Sequence, residues 1–200
     1  VIAVYGDSTR MLVLLRNTAA VCGLALVVNL PVGTVLGFLC FRTRIFGRRL
    51  LVAASLVAAC LPVYVVVTSW ITVIGNDWFS FSHWWVKALL AGGIQGLAFL
   101  PFTLVLTGVA FSMADRTAEE QARLETSWPV VFLRVSLPQA AWAVGAAGLL
   151  VLVLTFSDIT TTDTLVLRTF AEETYTQFRV PGPEIGADEM HLVPWRAAAV

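Results

Sequence analysis

A chain of 200 residues that is 58% hydrophobic and only 13% charged, with a mean hydropathy of +0.82, lies outside the range of soluble globular domains, where about a quarter of residues are charged. Its 13 basic and 13 acidic residues cancel, so bulk electrostatics point to neither nucleic acid nor an acidic partner. The cysteines, Cys22, Cys40 and Cys60, share no metal-ligand spacing and read as small buried apolar residues.

In chain order, four runs contain no Asp, Glu, Lys or Arg: residues 17–41, 50–76, 88–114 and 135–157. Each exceeds the roughly 20 residues that a helix needs to cross a bilayer. Four in series predict an all-α membrane protein, a polytopic bundle of transmembrane helices in contact with lipid. The chain opens at Val1 with no signal peptide and closes in WRAAAV, which reads as the start of another apolar run. The expectation is a partial transmembrane domain whose final span is missing.

Within the first three runs, Pro31, Pro62 and Pro101 are each expected to interrupt a span, because proline removes a backbone donor and kinks a helix. Asn29 and Gln95 put polar groups at membrane depth. Helix-to-helix hydrogen bonding is one use for them, and a translocation path lined by broken helices is another. Gly33 with Gly37 and Gly92 with Gly96 form GxxxG pairs, and Ala141 with Gly145 a looser version. Small residues at this spacing let helix backbones pack closely in lipid.

Between the runs, charge sets orientation. Arg42, Arg44, Arg48 and Arg49 lie in the first loop, and Arg116, Arg123 and Arg134 in the third. By the positive-inside rule both are cytoplasmic. The second loop, NDWFSFSHWWVK, then faces outward, and its Trp78, Phe79, Phe81, Trp84 and Trp85 suit an interfacial aromatic belt. Residues 158–195 form an outer segment that opens with SDITTTDT. Asp158 and Asp163 there read as solvated carboxylates or as an attraction for a cation, and Asp158 joins Asn29 and Gln95 as a possible pathway residue.

Enzyme chemistry is not apparent. The single lysine, Lys87, follows no glycine-rich loop, so no Walker A phosphate cradle exists. With only His83 and His191, an HExxH zinc site is impossible, and no GxSxG elbow occurs. The four runs hold no charge, so a proton relay lacks its intramembrane group. No catalytic or metal-ligating set is expected.

The loop of residues 115–138 stands apart by its helical pattern. Thr117-Ala118-Glu119-Glu120 has the form of a capping box, with a short helix following through Leu124. Ser127 and Pro129 read as the cap and first turn of a second helix. Val131, Phe132 and Val135 space as its apolar face, and Leu137-Pro138 is expected to end it before the fourth span.

This layout resembles the EAA loop of ATP-binding cassette importer permeases. Glu119 and Glu120 stand at the acidic start of that motif, Ala122 at a small-residue position, and Val135-Ser136-Leu137-Pro138 at its closing V-T-L-P pattern. LLRNTAAV at residues 14–21 is similar to the entry of the first core span in these permeases, and LRTFAEETYTQF at 167–178 is similar to the iron(III)-type branch. The resemblance covers most of residues 14–180. It implies a multi-pass permease subunit of a bacterial inner membrane with no cofactor of its own. Its implied partners are a cytoplasmic ATPase that binds ATP, a second permease half and an extracytoplasmic solute-binding protein, with iron(III) or a similar small solute as cargo. It also implies that Glu119, Glu120, Ala122, Arg123, Thr126, Leu137 and Pro138 form the loop that couples to the ATPase. One position departs: the family's loop glycine is replaced by Thr126, or by Glu125 in another register, and threonine resists a left-handed turn. The alternative is a secondary transporter or channel that uses a similar bundle without an ATPase.

Overall fold

The computed structural model describes residues 8–43, 45–75 and 83–179, and within these the chain is all-helical. Helix α1, Ser8–Arg42, is continuous over 35 residues. At 1.5 Å per residue it is about 52 Å long, more than the roughly 30 Å of a bilayer's hydrocarbon core. The shorter helices follow as α2 (Arg48–Ala59), α3 (Val63–Ile74), α4 (Trp84–Ala98), α5 (Leu100–Met113), α6 (Arg116–Glu125) and α7 (Trp128–Val131). A π-helical turn, Phe132–Ser136, leads into α8 (Leu137–Gln139), then α9 (Ala141–Ser157), α10 (Thr160–Thr164) and α11 (Phe170–Arg179).

Among the described residues one helix, Thr9–Arg42, is long and apolar enough to cross a membrane, and up to four spans result if each bent pair counts as one. The bends are 102° between α2 and α3, 47° between α4 and α5, and 74° between Trp128–Gln139 and α9. Two of the three expected proline interruptions occur: Pro62 caps the start of α3, and Pro101 lies in the first turn of α5. Pro31 does not end a helix, since α1 runs through it. A missing N–H is tolerated where neighbouring helices hold both flanks in place. The fourth run also departs from expectation. Leu137-Pro138 does not stop the preceding helix, because Pro138 occupies a first-turn position of α8, where its absent N–H costs nothing. The chain turns instead at Ala140 (φ −95°, ψ 4°), so α9 begins at Ala141 and not at 135.

α1 is the axis on which the other helices assemble, packing chiefly on α5 and α4 and then on α9. Its backbone approaches both main neighbours closely. A Cβ on Gly33 would lie 2.6 Å from the Thr103 methyl of α5, and one on Gly37 only 2.9 Å from the Leu104 carbonyl. From the other side, a Cβ on Gly92 of α4 would lie 2.6 Å from Leu24 Cβ, and one on Gly96 only 2.9 Å from the Ala25 carbonyl. Gly145 has nothing within 4 Å, so the Ala141/Gly145 pair forms no seam.

Two apolar clusters close the ends of this assembly. Phe38 of α1 meets Phe111, Phe132 and Trp128 edge-to-face, with centroids 5.2, 4.8 and 5.3 Å apart, and Ala110, Ala140 and Ala143 complete that core. At the other end Val21 packs with Ala88, Ala91, Leu165 and Leu167. Leu165 and Leu167 reach it through a Schellman turn after α10, in which Leu167 N–H donates to the Thr162 carbonyl (2.9 Å) and Val166 N–H to that of Asp163 (3.0 Å). The left-handed position of the turn is held by Val166 (φ 52°), whose side chain is exposed. Cys60, expected to be buried, is exposed at the α2–α3 bend, whereas Cys40 is buried.

These contacts fix two expected outcomes. Gly92→Ala should destabilise the fold by about 1–3 kcal/mol through overpacking. Gly93→Ala, one residue along with nothing within 4 Å, should be neutral or up to about 1 kcal/mol more stable. Thermal unfolding in detergent reads both, and equal midpoints for the two variants would remove the seam. Val166→Gly should raise the same midpoint, because a left-handed L-residue costs roughly 1–2 kcal/mol, somewhat more than glycine's extra backbone entropy. A lowered midpoint would mean the turn carries no strain.

Candidate functional site

The loop of residues 115–138 is a helical hairpin anchored to the bundle by one buried carboxylate. Helix α6 starts two residues earlier than the sequence pattern predicts. Its cap is Asp115, not Thr117, and Asp115 Oδ1 accepts from Thr117 N–H at 2.9 Å and from Thr117 Oγ at 2.7 Å. Those hydrogen bonds, the side-chain one first, hold the Asp115 carboxyl below its ordinary range, since they favour the charged form. Aspartate both caps the first N–H groups and complements the positive end of the helix dipole, which explains why it displaces the threonine.

Glu119 follows in the first turn and is 5% exposed. Its Oε2 accepts from Arg42 Nε at 2.8 Å, and its Oε1 accepts from Ser136 Oγ at 2.8 Å. Arg42 is the last residue of α1, and its Nη1 donates to the Phe111 carbonyl in the final turn of α5 at 3.2 Å. One ion pair therefore ties four segments together: α1, α5, α6 and the π-helical turn. Both side chains are shielded, at 4% and 7% exposure.

The other loop residues divide by face. Glu120 is exposed and Ala122 half-buried. Arg123 places its guanidinium 4.6 Å from the Trp128 ring centroid, a cation–π contact between the two arms of the hairpin. Thr126 closes α6 in extended conformation (φ −137°, ψ 162°), with its Oγ donating to the Ala122 carbonyl at 2.9 Å. The hairpin thus turns without a left-handed residue, and the missing glycine is explained: this turn needs none. Ser127 caps α7 by position, with Pro129 in its first turn. Leu137 is half-buried and Pro138 exposed.

Asn29, Gln95 and Asp158 take part in two separate polar contacts, one between α1 and its neighbours and one between α4 and the cap that follows α9. Asn29 Nδ2 donates to the Gly96 carbonyl at 2.7 Å, and its Oδ1 accepts from Thr103 Oγ. Gln95 Nε2 donates to Asp158 Oδ2 at 2.7 Å. Asp158 also accepts from Thr160 N–H at 3.1 Å and from the Thr161 hydroxyl, so it organises the start of α10 while bonding α4. Asn29 and Gln95 are fully buried, and they use the interior as helix-to-helix hydrogen-bonding partners. Among the described residues no three His, Cys, Asp or Glu side chains are grouped to hold a metal.

The far end of α1 holds the stretch that follows α10. Asn17 Nδ2 donates to the Arg168 carbonyl at 2.9 Å, Thr18 Oγ accepts from Phe170 N–H at 3.2 Å, and Arg10 pairs with Glu173 at 2.6 Å. Trp84 lies under the Arg16 guanidinium, 3.7 Å away. Trp78, Phe79, Phe81 and Arg44, and the outer segment from residue 180 onward, lie outside the described residues.

Sequence reasoning missed the two anchors of the hairpin. Arg42 enters it only as a topogenic charge and Ser136 only as part of a closing pattern. The available signal was that an arginine ends one apolar run while a glutamate sits in the first turn of the loop helix, but 77 residues separate them. No protein-family model matches the chain, and a comparison with curated proteins gives no match.

The ion pair makes an outcome that a mutant cycle can read. Glu119→Leu alone leaves the Arg42 charge buried without its acceptor and should cost about 3–5 kcal/mol. Arg42→Met with Glu119→Leu should recover much of that loss, because apolar replacements remove both charges together. Unfolding midpoints in detergent measure the cycle; strictly additive losses would show that the pair carries no coupling.

Proposed function

We propose that this chain is the membrane-spanning permease subunit of an ATP-driven, binding-protein-dependent importer. The reading is carried by one observation: the polar hairpin of residues 115–138 is not a slack connection but is clamped to the ends of α1 and α5 through Glu119, Arg42 and Phe111. A force applied to α6 is therefore delivered to the longest helix of the bundle. Glu120, exposed on the same helix whose Glu119 faces inward, is available to a cytoplasmic ATPase.

In this mechanism Arg42 and Glu119 form the joint. ATP binding by the partner draws two ATPase subunits together, and α6 moves with the subunit that grips it. The rigid node passes that motion to α1, which runs the length of the bundle to Asn17 and Thr18, where the outer segment is held. ATP acts by favouring one of two packings of the bundle, since a ligand shifts an equilibrium only through differential affinity. A second permease half completes the pathway, and an extracytoplasmic binding protein delivers the solute. The hairpin and the arginine-rich first loop face the cytoplasm of a bacterial inner membrane. The Arg42–Glu119 contact at one end of α1 joins the two, and this supports placing them on one side. Iron(III) as cargo rests on the likeness of LRTFAEETYTQF to the iron-type branch.

Glu120→Arg tests the reading with little risk to the fold, because the side chain is exposed. Reversing one partner of a charge pair that docking desolvates costs about 3–5 kcal/mol, two decades or more in affinity. The variant should insert at normal level yet lose ATPase co-purification and solute uptake. Ala122→Trp should do the same by blocking close approach of the helix. Retention of both ATPase and uptake by Glu120→Arg would show that the hairpin is not the coupling element and would remove the main support of the importer reading, whereas absence of any co-purifying ATPase from the unaltered chain would favour a secondary transporter or channel.

A further inference from the structure

At the hairpin end of α1 two cavities adjoin. One, of about 330 Å³, is lined by Phe41, Arg42, Arg48, Arg116, Arg123 and Trp128 together with Thr43, Glu119 and Glu120. The other, of about 420 Å³, is lined by Cys40, Phe41, Arg48, Arg49, Val52, Ala53 and Leu56. They share Phe41 and Arg48. The first is polar and cationic, with four arginines against two glutamates, and Glu119 is already neutralised by Arg42. Arg42 keeps one further donor, Nη2, that is buried without an acceptor. The second is an apolar groove along α2, a helix with no buried residue of its own. A cationic cavity that opens into an apolar groove at the end of a long apolar helix matches an amphiphile with an anionic head and a hydrocarbon tail.

We infer that this pair of cavities is a binding site for one acidic phospholipid, its phosphate group among Arg48, Arg116 and Arg123 and one acyl chain along Val52, Ala53 and Leu56. The charge complementarity selects the anionic head, and the groove selects a lipid over a free anion. The site rests on the membrane placement argued above but not on the importer reading. It also gives Arg48 of the first loop and Arg116 and Arg123 of the third a common ligand, which topology alone does not.

The test uses purified, delipidated protein in neutral detergent, titrated with dioleoylphosphatidylglycerol or dioleoylphosphatidylcholine and followed by native mass spectrometry and thermal unfolding. Phosphatidylglycerol should be retained as a one-to-one adduct and should raise the unfolding midpoint, while phosphatidylcholine does neither. Arg48→Gln with Arg116→Gln, both at exposed positions, should weaken retention by about ten-fold or more. Ala53→Trp, which fills the groove and leaves the arginines in place, should weaken it as well. Equal retention of the two lipids, or undiminished retention by the double variant, would overturn the site. So would protection by inorganic phosphate equal to that by phosphatidylglycerol and untouched by Ala53→Trp, since the ligand is then a soluble anion. Alkaline carbonate extraction of membranes separates the two levels. A chain released into the wash loses its membrane placement, whereas a chain that stays integral without lipid selectivity loses only this site.

Discussion

Helix α1 meets α4 and α5 backbone to backbone, and that approach requires hydrogen where other residues carry a Cβ. Gly33 and Gly37 leave room for Thr103 and Leu104, and Gly92 and Gly96 leave room for Leu24 and Ala25. The seams run on two faces of one helix, so α1 becomes a shared axis and α4 and α5 are positioned by it more than by each other. Close approach also brings backbone carbonyls within reach of side chains. Asn29 bonds the Gly96 carbonyl directly, and the Thr107 hydroxyl lies 3.5 Å from the Gly33 carbonyl of α1. The Asn29 amide is thereby satisfied across the same contacts that small residues make possible.

Polar interactions are concentrated at the two ends of α1 and between them. At one end Arg42 and Glu119 bind the hairpin. At the other, Asn17, Thr18 and Arg10 bind the stretch that follows α10. Between them lie the Asn29–Thr103 and Gln95–Asp158 contacts. A buried ion pair contributes little net stability against an apolar alternative, yet breaking it on one side is costly. Such an element suits a joint that must move as a unit, and in the proposed importer it makes α6 and α1 one body. The bends at Cys60–Pro62, Phe99 and Ala140 are the complementary feature, because there the chain changes direction by 102°, 47° and 74° between successive helices.

The hairpin turn shows how one geometry can be reached by different chemistry. A glycine in a left-handed conformation reverses a chain in few residues. Here Thr126 reverses it in extended conformation, with its hydroxyl returned to the Ala122 carbonyl and with Arg123 lying over Trp128 to join the arms. The one non-glycine residue with positive φ among those described is Val166, in the turn that sends Leu165 and Leu167 into the core. Two buried leucines on alternate positions are secured there at the expense of one exposed, strained valine.

Much of this was legible in the residues alone. Uncharged runs longer than a bilayer is thick determine helices, because no other open structure satisfies its own backbone. Glycine pairs at four-residue spacing mark helix seams, because that spacing falls on one helix face. The helices of the hairpin were readable from Ser127, Pro129 and the apolar period that follows. Tertiary structure decided what depends on distant partners. Whether Glu119 turns inward is settled by Arg42, 77 residues away; Asp115 takes the cap from Thr117 through a local competition between side chains of similar capacity. Proline chemistry is the same at Pro31, Pro62 and Pro101, yet only α1 continues through its proline, because packing on three neighbours holds both halves of that helix in line. Local sequence specifies which conformations are cheap, and the choice among them belongs to contacts that form only when the chain has folded.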